Sequence, residues 1–163
     1  MADYTLYCFA QSGNAYKAAL MLNLCGADWK PRWVDFFNGE TRTPEYRANI
    51  NELGEVPVLE FGNERLTQSG VILDYLAGRF GKFGPANEGE RREILRWLLW
   101  DNHKLTSYIA SLRYLLQFVP GGETPVTEFL RGRTKGNLAI LDKHFAAQPF
   151  AVGGRLTIAD LSL

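Results

Sequence analysis

The chain has 163 residues, 46% of them apolar, with 18 basic and 18 acidic side chains and a formal net charge of zero. That balance excludes a disordered tail, a collagen-like repeat and a coiled coil. It supplies no global field for nucleic acid or an anionic membrane surface, and no apolar run approaches the roughly 18 residues of a membrane span.

The first 80 residues alternate strand and helix signals. Tyr4 to Phe9 is β-rich, and Ala15, Ala18, Ala19 and Leu22 recur at helical spacing, so Asn14 to Leu24 reads as an amphipathic helix closed by Gly26. Trp29 to Phe37 is the next strand candidate, and Thr43-Pro44-Glu45-Tyr46 predicts a short helical turn. Val56 to Phe61, the Gly62-Asn63 turn and Glu64 to Thr67 form a hairpin. Ser69 is placed to cap a helix carrying Val71, Ile72, Tyr75, Leu76 and Phe80.

The glycine- and proline-containing stretch from Gly81 reads as a linker, and strand signals vanish beyond it. Ile94, Leu95, Leu98, Leu105, Ile109, Leu112 and Leu116 mark one long helix, stopped by Pro120-Gly121-Gly122. Leu130, Leu138, Leu141 and Phe145 mark a second, ending before Pro149. The expected organisation is a sheet-containing domain over 1–80, a linker over 81–88 and an all-helical domain over 89–163. Trp97, Trp100 and Tyr108 add apolar surface to the long helix beyond its core stripe, which points to a homodimer.

Thr157-Ile158-Ala159-Asp160 has capping-box geometry, with Leu156 and Leu161 at the positions of a hydrophobic staple. These devices announce a helix, yet only three residues follow Asp160. A helix so short has almost no stability of its own, so the expectation is that the chain is the front part of a longer one. Met1-Ala2-Asp3-Tyr4 lacks the basic start and apolar core of a signal peptide. Cys8 and Cys25 form neither a CxxC pair nor a metal-ligand spacing, so a reducing, cytoplasmic location and no metal are expected. His103 and His144 stand alone, with no nucleophile or ligand partner at a useful spacing.

Glu55-Val56-Pro57-Val58-Leu59-Glu60 followed by Leu66-Thr67-Gln68-Ser69-Gly70-Val71-Ile72-Leu73-Asp74-Tyr75-Leu76 resembles the glutathione-binding signature of the cytosolic glutathione S-transferase family. Thr157-Ile158-Ala159-Asp160 is similar to the helix-capping motif of that family's second domain. The resemblance covers essentially the whole chain. It implies a thioredoxin-like α/β domain followed by an all-α domain. It also implies glutathione as co-substrate and conjugation of its thiol to a small apolar electrophile. A non-catalytic binding module of the same fold and another glutathione-dependent enzyme (a reductase, lyase or isomerase) are the alternatives.

By the same resemblance, Val56 offers its backbone to the cysteinyl unit of glutathione before a cis Pro57, while Gln68 and Ser69 hold the γ-glutamyl end. A helix N-terminus suits a carboxylate, because its N–H groups are free and its dipole end is positive. For the thiol, Ser12 resembles the hydroxyl of serine-type classes and Tyr7 that of tyrosine-type classes. Cys8 does not fall at the loop position of cysteine-type classes, and Asn14 is a possible second donor. Arg42, then Arg47 and Lys17, are candidate cations for the glycyl carboxylate, and Asp101 is a candidate for a γ-glutamyl amine held by a partner subunit. Tyr108 and Tyr114 are candidates for the electrophile pocket. Two positions depart from the family pattern: Asn51-Glu52 stands where many relatives have Asn-Pro, and Glu55 where many have Lys.

Overall fold

The structure, a computed structural model, describes residues 3–163. Its contacts group into two units, the first ending at Gly84 and the second beginning at Pro85.

In the first unit, β1 (Tyr4–Cys8) pairs in parallel with β2 (Trp29–Trp33) and antiparallel with β3 (Val58–Phe61), and β4 (Glu64–Thr67) closes the far edge in the order β2-β1-β3-β4. The parallel pair needs a crossover, and α1 (Gly13–Cys25) supplies it. Tyr4, Leu6, Tyr7 and Cys8 are all buried, as a central strand covered on both faces requires. Helix α1 buries Ala15, Ala18, Met21, Leu22 and Cys25 and packs against α3 (Ser69–Phe80), which buries Ile72, Leu73, Leu76 and Ala77. Tyr7 points to the opposite side of β1 from Leu6 and Cys8 and joins Val34, Tyr46 and Val58 in a separate cluster. Tyr46 comes from α2 (Pro44–Asn49), whose Thr43 cap accepts from the Tyr46 N–H at 3.1 Å and whose first residue is proline.

Two expectations need correction here. The second strand stops at Trp33 rather than running to Phe37, because the chain turns after Val34 toward a one-turn 3-10 helix at Glu40–Arg42. Pro31 lies within β2, and four of that strand's five residues are exposed, the profile of an edge strand. Ser69 does not cap α3. The cap position belongs to Gln68, at φ 68°, and Ser69 is the first helical residue.

In the second unit, α4 (Glu88–Trp100) and α5 (Thr106–Phe118) form the expected long helix, interrupted by a π-helical stretch at Asp101–Leu105. The wider turn lets the Thr106 hydroxyl donate back to Asp101 Oδ1 at 2.7 Å. Helix α6 (Pro125–Ala147) packs on α5, and the terminal α7 (Ile158–Ser162) packs on α4. Trp97 is not surplus surface: it is 3% exposed, with its ring edge-on to Trp100 and to His144. The exposed apolar residues of α4 are Leu95 and Leu99.

Candidate functional site

Three segments of the first unit converge. The start of α1 and the start of α3 are joined by the Ser69 hydroxyl, which donates to Asn14 Oδ1 at 3.3 Å across 55 residues of sequence. The loop before β3 is joined to the start of α3 by the Gln68 amide, which donates to Glu55 Oε2 at 3.0 Å. The result is two helix N-termini beside the Val56-Pro57 peptide, which is cis. Val56 lies outside the sheet ladder, whose registered pairs begin at Val58 opposite Thr67.

The loop itself is fixed from behind. Both Tyr46 Oη and Asn51 Nδ2 donate to the Glu55 carbonyl, at 3.1 and 3.0 Å. Asn51 is buried and also accepts from the Leu53 N–H at 3.1 Å. Burial pushes the Tyr46 phenol up to about 12, so it stays a donor. Asn51 holds the loop in this way with Glu52 as its neighbour. Sequence reasoning missed Tyr46 and Asn51 as supports, since a helical tyrosine and a loop asparagine carry no local sign that both reach one carbonyl.

Ser12 is the N-cap of α1, with φ −79° and ψ 109°, and its Oγ accepts from the Ala15 N–H at 3.1 Å. A hydroxyl has one proton to give and two lone pairs to receive, so the capping bond leaves the Ser12 proton free to donate. Asn14 lies in the first turn of the same helix.

Tyr7 and Cys8 sit differently. The Tyr7 hydroxyl donates to Glu60 Oε2 at 3.2 Å, and Arg32 lies over its ring. Burial raises its pKa above the ordinary phenol value, and the neighbouring Glu60 carboxylate adds to the effect. Cys8 and Cys25 are buried, and burial raises both thiols. A thiolate is the reactive form, so neither is poised as a nucleophile. At neutral pH a thiol reagent is therefore expected to spare both cysteines in the folded protein and to titrate both after denaturation. Rapid labelling of either one in the native state would contradict this packing.

Of the candidate cations, Arg42 is exposed at the end of the 3-10 turn, and Arg47 donates to the Glu52 carbonyl at 2.9 Å. Lys17 lies in α1 and is 9% exposed. In the second unit, Asp101 is 2% exposed, and the hydroxyls of Thr106 and Ser162 donate to its two carboxylate oxygens. These two bonds tie Asp101 to the start of α5 and to α7 within the helical unit. Tyr108 is half-buried on α5, and Tyr114 is exposed and tilted against Phe118. His144 lies against Trp97 with Nε2 3.1 Å from the Ala151 carbonyl, a packing role.

Residues 2–78 match the model of the glutathione S-transferase N-terminal domain. Over its whole length the chain is 33% identical to the maleylacetoacetate isomerase of Rhizobium meliloti (strain 1021), of which it covers 80%. Among solved structures, it is similar to a possible glutathione S-transferase from Rhodopseudomonas palustris, at TM-score 0.91 and 34% identity, over 99% of this chain and 80% of that one. It is also similar to the theta class glutathione S-transferase of Xanthomonas axonopodis pv. citri with glutathione bound, at TM-score 0.91 and 27% identity, covering 99% and 79%.

Proposed function

Because the chain belongs to the glutathione S-transferase family, we propose that it joins the thiolate of glutathione to small apolar electrophiles, with Ser12 as the activating hydroxyl. The observation that carries this reading is the bond from Ser69 to Asn14, which places the starts of α1 and α3 side by side at the Val56-Pro57 loop.

The parts suit the ligand's chemistry. Glutathione has an amine, two carboxylates, a thiol and a peptide backbone. An extended peptide pairs with free main-chain groups at a strand end, the role assigned to Val56. The start of α3 offers unpaired N–H groups to the γ-glutamyl carboxylate, with the Ser69 hydroxyl beside them. Arg42, as an exposed cation, is assigned the glycyl carboxylate. A free thiol of pKa about 8.5 is only about 3% ionised at neutral pH, and a drop of two units requires about 2.7 kcal/mol of preferential thiolate stabilisation. A hydroxyl donor at the start of α1 combines a charge-assisted hydrogen bond with the positive end of a helix dipole. The Ser12 hydroxyl is the better donor for already accepting from Ala15.

Tyr108 and Tyr114 are assigned to the electrophile side, and a homodimer belongs to the same reading. A second reading, a glutathione-dependent isomerase, is favoured by the similarity to the Rhizobium meliloti enzyme. The thiolate would then add to the substrate and leave again, so the same Ser12 chemistry serves both.

Retention on a glutathione affinity column together with turnover of a generic aromatic halide electrophile is the expected result. Retention without turnover, and with cis–trans isomerisation of a maleyl-type substrate, would transfer the function to the isomerase reading. No retention and no turnover would remove both.

A further inference from the structure

We infer that Glu55 is a positioning and selectivity residue, which orients the Gln68 amide so that the site demands a free amine on its ligand. The inference rests on the glutathione reading above and deepens it. Glu55 accepts from Gln68 Nε2 at 3.0 Å, and Gln68 Oε1 has no hydrogen bond among the described residues. A carboxylate only accepts, so it can face only the NH2 end of the amide. The carbonyl end of Gln68 is thereby left as an acceptor beside the start of α3, with the negative Glu55 next to it. A primary ammonium carries three donors and a positive charge and matches both groups. An acylated or deaminated ligand has lost the charge and most of those donors.

Two features make the orientation firm. The Glu55 main chain is held by the donors from Tyr46 and Asn51, so its side chain starts from a fixed point. Gln68 is held at φ 68°, a left-handed value rare outside glycine, and its carbonyl accepts from the Ile72 N–H at 3.0 Å, anchoring it as the start of α3. Both side chains are exposed, so the pair adds little to stability and acts chiefly on direction. The departure from the family pattern then has a chemical sense. A lysine at position 55 has donors only, so it would turn the amide about and present NH2 where an ammonium has to bind.

The experiment compares dissociation constants for glutathione and for its deaminated analogue (glutaryl-cysteinyl-glycine) by calorimetry, in the wild type, Glu55→Gln and Glu55→Lys. The wild type is expected to favour glutathione about tenfold, the scale of one charge-assisted hydrogen bond. Glu55→Gln keeps an acceptor for Gln68 Nε2 and loses the charge, so a preference of about threefold is expected to remain. Glu55→Lys is expected to bring the ratio near one, with the thermal midpoint unchanged because the site is exposed. A wild-type preference that survives Glu55→Lys within about twofold would overturn the inference and leave the glutathione reading intact, as would a wild type that binds both ligands equally. A wild type that binds neither ligand would overturn the glutathione reading and this inference with it.

Discussion

Replacing Ser12 with alanine is expected to lower kcat about ten- to a hundred-fold while leaving the affinity for glutathione within about twofold. The hydroxyl acts on the charged sulfur, whereas Val56, Gln68 and Ser69 hold the peptide through groups the substitution leaves in place. A hydrogen bond to a charged group contributes about 1.5–3 kcal/mol, which sets that range. The thiol of bound glutathione loses a donor that favours its ionised form, so its pKa rises. The ascending limb of the pH–kcat profile therefore moves to higher pH.

Ser12 has a second task, which the experiment has to separate from the first. Its Oγ caps α1 through Ala15, and losing a serine cap costs about 1 kcal/mol of stability. Ser12→Gly costs only a few tenths as a cap, yet it removes the hydroxyl as completely as alanine does. Equal kinetic losses in the two variants with unequal thermal midpoints would assign the rate effect to the donor. Ser12→Thr keeps both cap and donor and should retain most activity. Tyr7→Phe is the matching control. The Tyr7 proton is given to Glu60, and the phenol is held above its ordinary pKa, so its removal should leave kcat within about twofold. A large loss in Tyr7→Phe with none in Ser12→Ala would move the activating role from the helix start to the strand.

What could be read from sequence follows the range of the interactions. Helix α1 is bracketed by Ser12 and Gly26, α2 by Thr43-Pro44, and α7 by Thr157 and Asp160, all devices acting within a few residues. The β3–β4 hairpin announces itself by Gly62-Asn63 in the same way. The roles of Ser69 and Asp101 were not legible, because their partners lie 55 and 61 residues away at Asn14 and Ser162. A serine before an apolar helix reads as a cap when only local bonds are considered. An aspartate in a polar stretch of helix carries no local sign of a hydroxyl partner 61 residues away. The π-helical stretch escaped for a similar reason: it carries no compositional sign, and it accompanies Asp101 turning inward. The candidate site was proposed from motif resemblance rather than periodicity, which is why the support for Glu55 from Tyr46 and Asn51 emerged only in three dimensions.

Asp160→Ala is expected to destabilise the helical unit by about 2–4 kcal/mol, a loss out of proportion to one half-buried side chain. Its Oδ2 accepts from the Thr157 N–H at 2.8 Å and the Thr157 hydroxyl at 2.9 Å, and its Oδ1 accepts from the Ala151 N–H at 2.6 Å. One carboxylate thus closes the start of α7 and ties it to the loop leaving α6. Thr157, Ile158 and Ala159 have no exposed surface and Ala151 is also buried, so water cannot replace the lost acceptors. Five residues cannot hold a helix by propensity, which leaves packing and this cap to do so. Once the cap is gone, Ser162 is less firmly placed to donate to Asp101, so that buried carboxylate has a weaker hold on one of its hydroxyl donors. Asp160→Asn keeps one acceptor for Thr157 but turns an NH2 toward the Ala151 N–H, so most of the loss should remain. Urea unfolding followed by indole fluorescence in a Trp29→Phe, Trp33→Phe background reads this unit, because the remaining indoles, Trp97 and Trp100, lie in α4, against which α7 packs. A change below about 0.5 kcal/mol in Asp160→Ala would mean that α7 is held by the burial of Ile158 and Leu161 alone.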